Sequence, residues 1–166
     1  MIILGIDPGS ENTGYGIIQK NNGTIVHVTS GVVKASARLP FPQRLEKIYT
    51  DLTRLMDTYS PDVGAVEGVF FAANVSAAIK LGQARGVALL ALAQRGITCE
   101  EYSPLEIKQA LVGYGRASKD QVALMVSRLL KISTVHPGPD SSDALAVAIC
   151  HANSERMRSV AHDRIA

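Results

Sequence analysis

Residues 1–16 read MIILGIDPGSENTGYG. An apolar run opening at Ile2 closes on Asp7, and Pro8-Gly9 follow at once. Proline fixes φ and glycine accepts a positive φ, so a tight turn belongs here, and the run before it is a strand delivering a carboxylate to its own end. Residues 14–19 and 24–34 carry the β-branched and apolar composition of two further strands, with Asn21-Asn22-Gly23 as the turn between them. The chain therefore begins with three antiparallel strands in series.

Beyond them the period changes. Leu45, Ile48, Tyr49, Leu52, Leu55, Met56 and Tyr59 repeat at the spacing of one helix face over residues 42–59. Pro42 suits the first turn, and Ser60-Pro61 ends the helix because the residue before proline is driven out of the helical region. Residues 63–66 form a short buried strand that delivers Glu67. An alanine-rich helix is expected over residues 74–94, with Gly82 and Gly86 four apart on one side, where another backbone can come close. Residues 97–102 are a fifth strand. Ser103-Pro104-Leu105-Glu106 is a capping box with proline at the first helical position, opening a helix to about residue 112. Gly113-Tyr114-Gly115-Arg116 is a loop, Ser118 caps a helix to about residue 131, and a last helix starts near Asp140. The order β β β α β α β α α α predicts one α/β domain over residues 1–166, a five-stranded mixed sheet with helices on both faces. No repeat or linker divides it, and about residues 153–166 are expected to form a mobile C-terminal tail.

The composition sets bounds. The chain has 166 residues, 46% hydrophobic, with no Trp. No uninterrupted apolar run reaches the ~20 residues that a membrane helix needs. No basic segment precedes the first apolar stretch, so no signal peptide is expected. Cys99 and Cys150 stand far apart without metal-type spacing and read as buried thiols in a reducing cytoplasm. The net charge of +2 is uneven: residues 68–131 carry +4, and the flanking segments are each slightly acidic. A basic middle suits a polyanion.

Four acids stand out: Asp7 and Glu67 after apolar strands, Asp140 and Asp143 at the head of a helix. An Asp at a helix start is ordinarily a cap, and Asp before Pro-Gly is ordinarily a turn residue. Glu67 is harder to explain so, because a Glu ending an apolar strand gains nothing unless paired. Asp140 and Asp143 share one helix face at a spacing of three. If the first strand is central and the last helix crosses its end, all four meet. Carboxylate oxygens suit Mg²⁺. Two such ions ~3.5–4 Å apart can activate a water and stabilise the leaving 3′ oxygen of a phosphodiester. His136 and His151 read as structural.

The segments GIDPGSENTGYG, VEGVFFAANVSAAIKLGQARG, IKQALVGYGRASKDQV and DSSDALAVAI resemble, in order and spacing, the signature segments of the RuvC family of bacterial Holliday-junction resolvases, over almost the whole chain. The resemblance implies a ribonuclease H-like fold and paired, symmetric nicking of four-way junction DNA by a cytoplasmic homodimer. It implies Mg²⁺ as cofactor, two per site with Mn²⁺ able to substitute, and cooperation with the RuvA and RuvB branch-migration complex. Position by position, Asp7, Glu67, Asp140 and Asp143 match the family's catalytic acids. Phe70 matches its junction wedge, with Phe71 beside it, and Lys108 and Lys119 match its phosphate-facing lysines. Arg85 and Arg116 are further DNA-contact candidates by charge and position, and Asn74 is placed to order the loop after Glu67. Gly68 departs from the larger polar residue common in the family, and Ser141 and Ser142 stand where Ala is common.

Three rivals bear on this. A sugar-kinase or actin-type ATPase also follows its first strand with Asp-x-Gly-Ser, but it needs two such domains, and GYGRAS lacks the Gly-Lys-Ser/Thr ending of a nucleotide loop. Another ribonuclease H-like nuclease differs in substrate. A non-catalytic junction-binding module has no use for four acids, whose like charges oppose DNA.

Overall fold

The structure, a computed structural model, describes residues 1–68, 74–132 and 138–163, with backbone alone beyond residue 154. Its five strands are β1 (Ile2–Asp7), β2 (Asn12–Asn21), β3 (Thr24–Lys34), β4 (Val63–Glu67) and β5 (Thr98–Tyr102). Its helices are α1 (Phe41–Tyr59), α2 (Val75–Gln94), α3 (Pro104–Val112), α4 (Lys119–Leu130) and α5 (Pro139–Asp163). The sheet order is β3-β2-β1-β4-β5. The first three strands pair antiparallel, and β4 joins β1, and β5 joins β4, in parallel. The first strand is thus central, as the acids require.

Local chemistry sets the boundaries. Asn22 and Gly23 both have positive φ (46° and 82°), the two-residue hairpin turn that matches the twist of its strands. Ser103 and Glu106 close the expected capping box, and Ser118 with Gln121 forms a second one that the sequence reading saw only as a cap. The backbone of α5 is helical to Asp163.

Side chains alternate across the sheet. Leu4, Ile6, Ile17 and Val66 face α1 and α2 with Ile48, Leu52, Ala88 and Leu92. Ile3, Ile18, Val63 and Ala65 face α3, α4 and α5 with Ile107, Val126, Leu145 and Ile149. By the same alternation Asp7 continues the row of Ile3 and Gly5, and Glu67 the row of Val63 and Ala65, so both acids point to the α5 face.

Glycine lets α5 lie directly on the sheet. A Cβ on Gly5 would stand 2.1 Å from the Ala144 carbonyl oxygen, one on Gly14 2.0 Å from that of Asp140, and one on Gly16 2.7 Å from the Leu145 side chain. These contacts carry the head of α5 to the end of β1. The close approach expected at Gly82 and Gly86 does not occur within the chain, for both face open space on the side of α2 turned from the sheet. At 20 residues and a mean hydropathy of 1.3, α2 is long and apolar enough to cross a membrane by length and composition. Lys80 and Arg85 interrupt its apolar sequence, which is why no uninterrupted run of that length appears, and Ala84, Ala88, Ala91 and Leu92 bury one face in the domain.

Candidate active site

The parallel register pairs Ile6 with Val66, so Asp7 and Glu67 emerge side by side from adjacent strands. The Asp7 carboxyl hydrogen-bonds that of Glu67. Burial first, then the charges of Glu67 and Asp143, push the Asp7 pKa up to about 8. Burial also raises Glu67, opposed by the hydrogen bond from Asp7 and by the charges of Lys119 and Lys108.

The head of α5 completes the group. Asp143, in its first two turns, accepts a hydrogen bond from Lys119 Nζ at 2.9 Å. That bond raises the Lys119 ammonium above its ordinary value. Asp7, Glu67, Asp143, Lys108 and Lys119 line one cavity of about 400 Å³, walled by Pro8, Leu81, Pro104, Ile107, Val122 and Ala146. Asp140 does not line this cavity; its backbone lies against Gly14, and its charge still raises Asp7.

The other predicted residues fall elsewhere. Asn74 caps α2, its side-chain oxygen accepting from the backbone N–H groups of Ser76 (2.9 Å) and Ala77 (3.3 Å), so it fixes where the loop after Glu67 ends. Arg85 is held by Glu101 of the edge strand β5, outside the cavity lining. Arg116 is exposed on the α3–α4 loop. Phe70, Phe71 and His136 lie outside the described residues. His151 is buried, its Nδ1 2.8 Å from the Tyr102 hydroxyl, in the structural role expected of it. Cys150 is buried as expected and Cys99 only half-buried; burial raises both thiols to about 11. Gly68 donates its N–H to the Tyr102 carbonyl (2.8 Å), and its Cα has room for a side chain.

Two features escaped the sequence. Arg44 of α1 is buried and grips the turn after Asp7, with Nη1 3.3 Å from the Ser10 carbonyl and 3.4 Å from Glu11 Oε1. Its guanidinium lies over the Phe41 ring at 4.9 Å. Thr13 Oγ1 ties the same turn by donating to the Gly9 carbonyl at 2.8 Å. One arginine in an amphipathic helix carries no signal of such a contact. The glycines of β1 and β2 gave a signal of close approach that was read only at α2.

The donors suit a hard divalent cation: carboxylate oxygens alone, crowded enough that one keeps its proton at neutral pH. As the side chains stand, no three acids among the described residues converge to hold an ion. Lys119 supplies the counter-charge to Asp143.

A mixed sheet with this strand order, helices on both faces and acids at the ends of its two central parallel strands is a ribonuclease H-like fold. The family model described as Crossover junction endodeoxyribonuclease RuvC matches residues 3–151. The chain belongs to this family. It is 51% identical over 160 residues to a crossover junction endodeoxyribonuclease RuvC of Geobacter sp. (strain M21), covering 96% of this chain and 97% of that one. The same identity and coverage hold for the Geobacter sulfurreducens protein of that name. The structure of T. thermophilus RuvC in complex with Holliday junction substrate superposes with a TM-score of 0.89 at 35% identity, over 95% of this chain and 96% of the other.

Proposed function

We propose that this protein is a cytoplasmic, structure-selective endodeoxyribonuclease that resolves four-way DNA junctions by paired symmetric nicks, in homologous recombination and DNA repair. The observation that carries the reading is the single cleft in which Asp7, Glu67 and Asp143 meet with Lys108 and Lys119 at the same wall. Acids alone repel DNA, and lysines alone bind it without cutting; together they suit a phosphodiester placed against a metal.

Asp7, Glu67, Asp140 and Asp143 would hold the divalent cation, Mg²⁺ or Mn²⁺ in a two-ion arrangement. When bound, the metal supplies an activated water and stabilisation of the leaving 3′ oxygen. Lys119, which donates to Asp143, stands with Lys108 at the cleft wall, where the two would hold the scissile phosphate in line. The Arg44 grip and the Thr13 tie keep the turn beyond Asp7 fixed while this happens. Phe70, three residues beyond Glu67, wedges into the junction, with Phe71 beside it able to share or replace that role; an apolar ring unstacks a base step.

Two cuts need two sites, hence a homodimer. The face of α2 turned from the sheet suits that interface: Val75 (75% exposed), Ile79 (57%) and Leu90 (51%) lie along it with Gly82 and Gly86 open between them. Large apolar side chains around open glycines favour close approach of a second helix. RuvA and RuvB are the expected partners at the junction.

The test is strand cleavage of a synthetic four-way junction beside a plain duplex, with Mg²⁺ or EDTA. Symmetric, ligatable nicks in the junction alone, absent in EDTA, are expected. Equal cutting of the duplex would make the protein a general nuclease on this fold.

A further inference from the structure

The loop between the two helices that wall the cleft carries an exposed aromatic. Tyr114 stands 47% exposed in the loop joining α3 to α4. These are the helices that bring Lys108 and Lys119 to the cleft wall. The loop is short and fixed at both ends. Gly113, at φ 88°, ends α3 by donating its N–H to the Gln109 carbonyl at 2.9 Å, and Ser118 opens α4 with a capping box. Between them Ala117 is buried, and Gly115 lies directly on Leu105, where a Cβ would stand 2.0 Å from Leu105 Cδ1.

Leu105 is itself 55% exposed. Leu105 and Tyr114 are thus two exposed apolar side chains on the α3–α4 segment that also carries Lys108, Arg116 and Lys119. A ring held out from a fixed loop among cations has the chemistry of a single-strand platform: the charges track the phosphates and the ring face takes a base. A nucleobase suits this segment better than a protein partner, because α3 and α4 wall the cleft that a DNA strand would enter.

We infer that Tyr114 stacks on a nucleobase of the strand being cut, next to the scissile phosphate, and that Leu105 supports that contact. This rests on the acidic cleft being the cutting site. Stacking uses the ring face and not the hydroxyl, so Tyr114→Phe keeps it and Tyr114→Ala loses it. The exposed position lets either variant fold, which thermal melting checks.

The experiment places 2-aminopurine in turn at the bases flanking the cut in a four-way junction. Binding is measured with Mg²⁺ in an Asp7→Asn background, alone or with a Tyr114 change. Quenching at one or two positions is expected with Asp7→Asn alone and with Tyr114→Phe added, and relief of it with Tyr114→Ala. Junction Kd rises roughly ten-fold in Tyr114→Ala, the size expected for one lost base–aromatic stack. Unchanged quenching or unchanged Kd in Tyr114→Ala would overturn the inference. If Asp7→Asn still cuts the junction, the cleft reading falls and this inference with it. If Asp7→Asn is inert and the Tyr114 contrast is absent, this inference alone falls.

Discussion

Asp7 and Glu67 stand side by side at the ends of adjacent parallel strands, and burial together with the charge of Glu67 pushes the Asp7 carboxyl up to about 8. A carboxyl whose folded pKa stands above its unfolded value of ~3.9 favours the fold below that value and loses the contribution as pH climbs through the folded pKa. For Asp7 the loss runs from about pH 4 to about 8. In EDTA, the wild-type Tm should fall as pH rises across this window, and Asp7→Asn should remove much of that fall. Thermal melts of both proteins from pH 5 to 9 check it, and parallel pH dependences would contradict it.

Gly14 bears on the site through backbone contact. Replacing it with Ala puts a Cβ against the Asp140 carbonyl oxygen, which is backbone and cannot turn aside. Overpacking of this kind costs ~1–3 kcal/mol. It also pushes Asp140 and Asp143 away from Asp7, and a misplacement of ~1 Å can cost ~10²-fold in rate. Gly14→Ala should lower Tm and reduce junction cleavage by about that factor.

Ser142 is buried beside Asp143, and its hydroxyl has no hydrogen-bond partner among the described residues. An unsatisfied buried hydroxyl costs ~1–3 kcal/mol. Ser142→Ala, the residue common in the family, should raise Tm by a few degrees with cleavage retained. Ser141, whose hydroxyl donates to the Gly138 carbonyl at 2.8 Å, should lose stability on the same change. Differential scanning calorimetry of the pair decides it.

The exposed face of α2 carries the dimer in this account. Ile79→Asp puts a charge at its middle and should give a folded monomer by sedimentation equilibrium. Cleavage should then shift from paired to single nicks. A dimer that survives Ile79→Asp would move the interface elsewhere.

Much of this was legible in the chain because local chemistry and period agreed. Asp7 before Pro-Gly, the helix repeat from Leu45 to Tyr59 and the box at Ser103 each fix an element by short-range rules. The acids were legible because Glu67 has no structural reason to end an apolar strand. What the sequence hid depends on tertiary approach. Arg44 looks like a surface residue until α1 is laid against the β1–β2 turn. Gly5, Gly14 and Gly16 look like weak strand residues until α5 lies on them. Arg85 looked free for DNA, but β5 brings Glu101 to it, a pairing that spacing alone does not reveal.

The most direct test of the central claim is Asp7→Asn on a four-way junction with saturating Mg²⁺, with binding and cutting measured side by side. The account predicts junction binding at least as tight as wild type, because one acid of the cleft is neutralised, with cleavage lost by several orders of magnitude. Cleavage retained in Asp7→Asn, or binding and cleavage lost together in a folded protein, would contradict it.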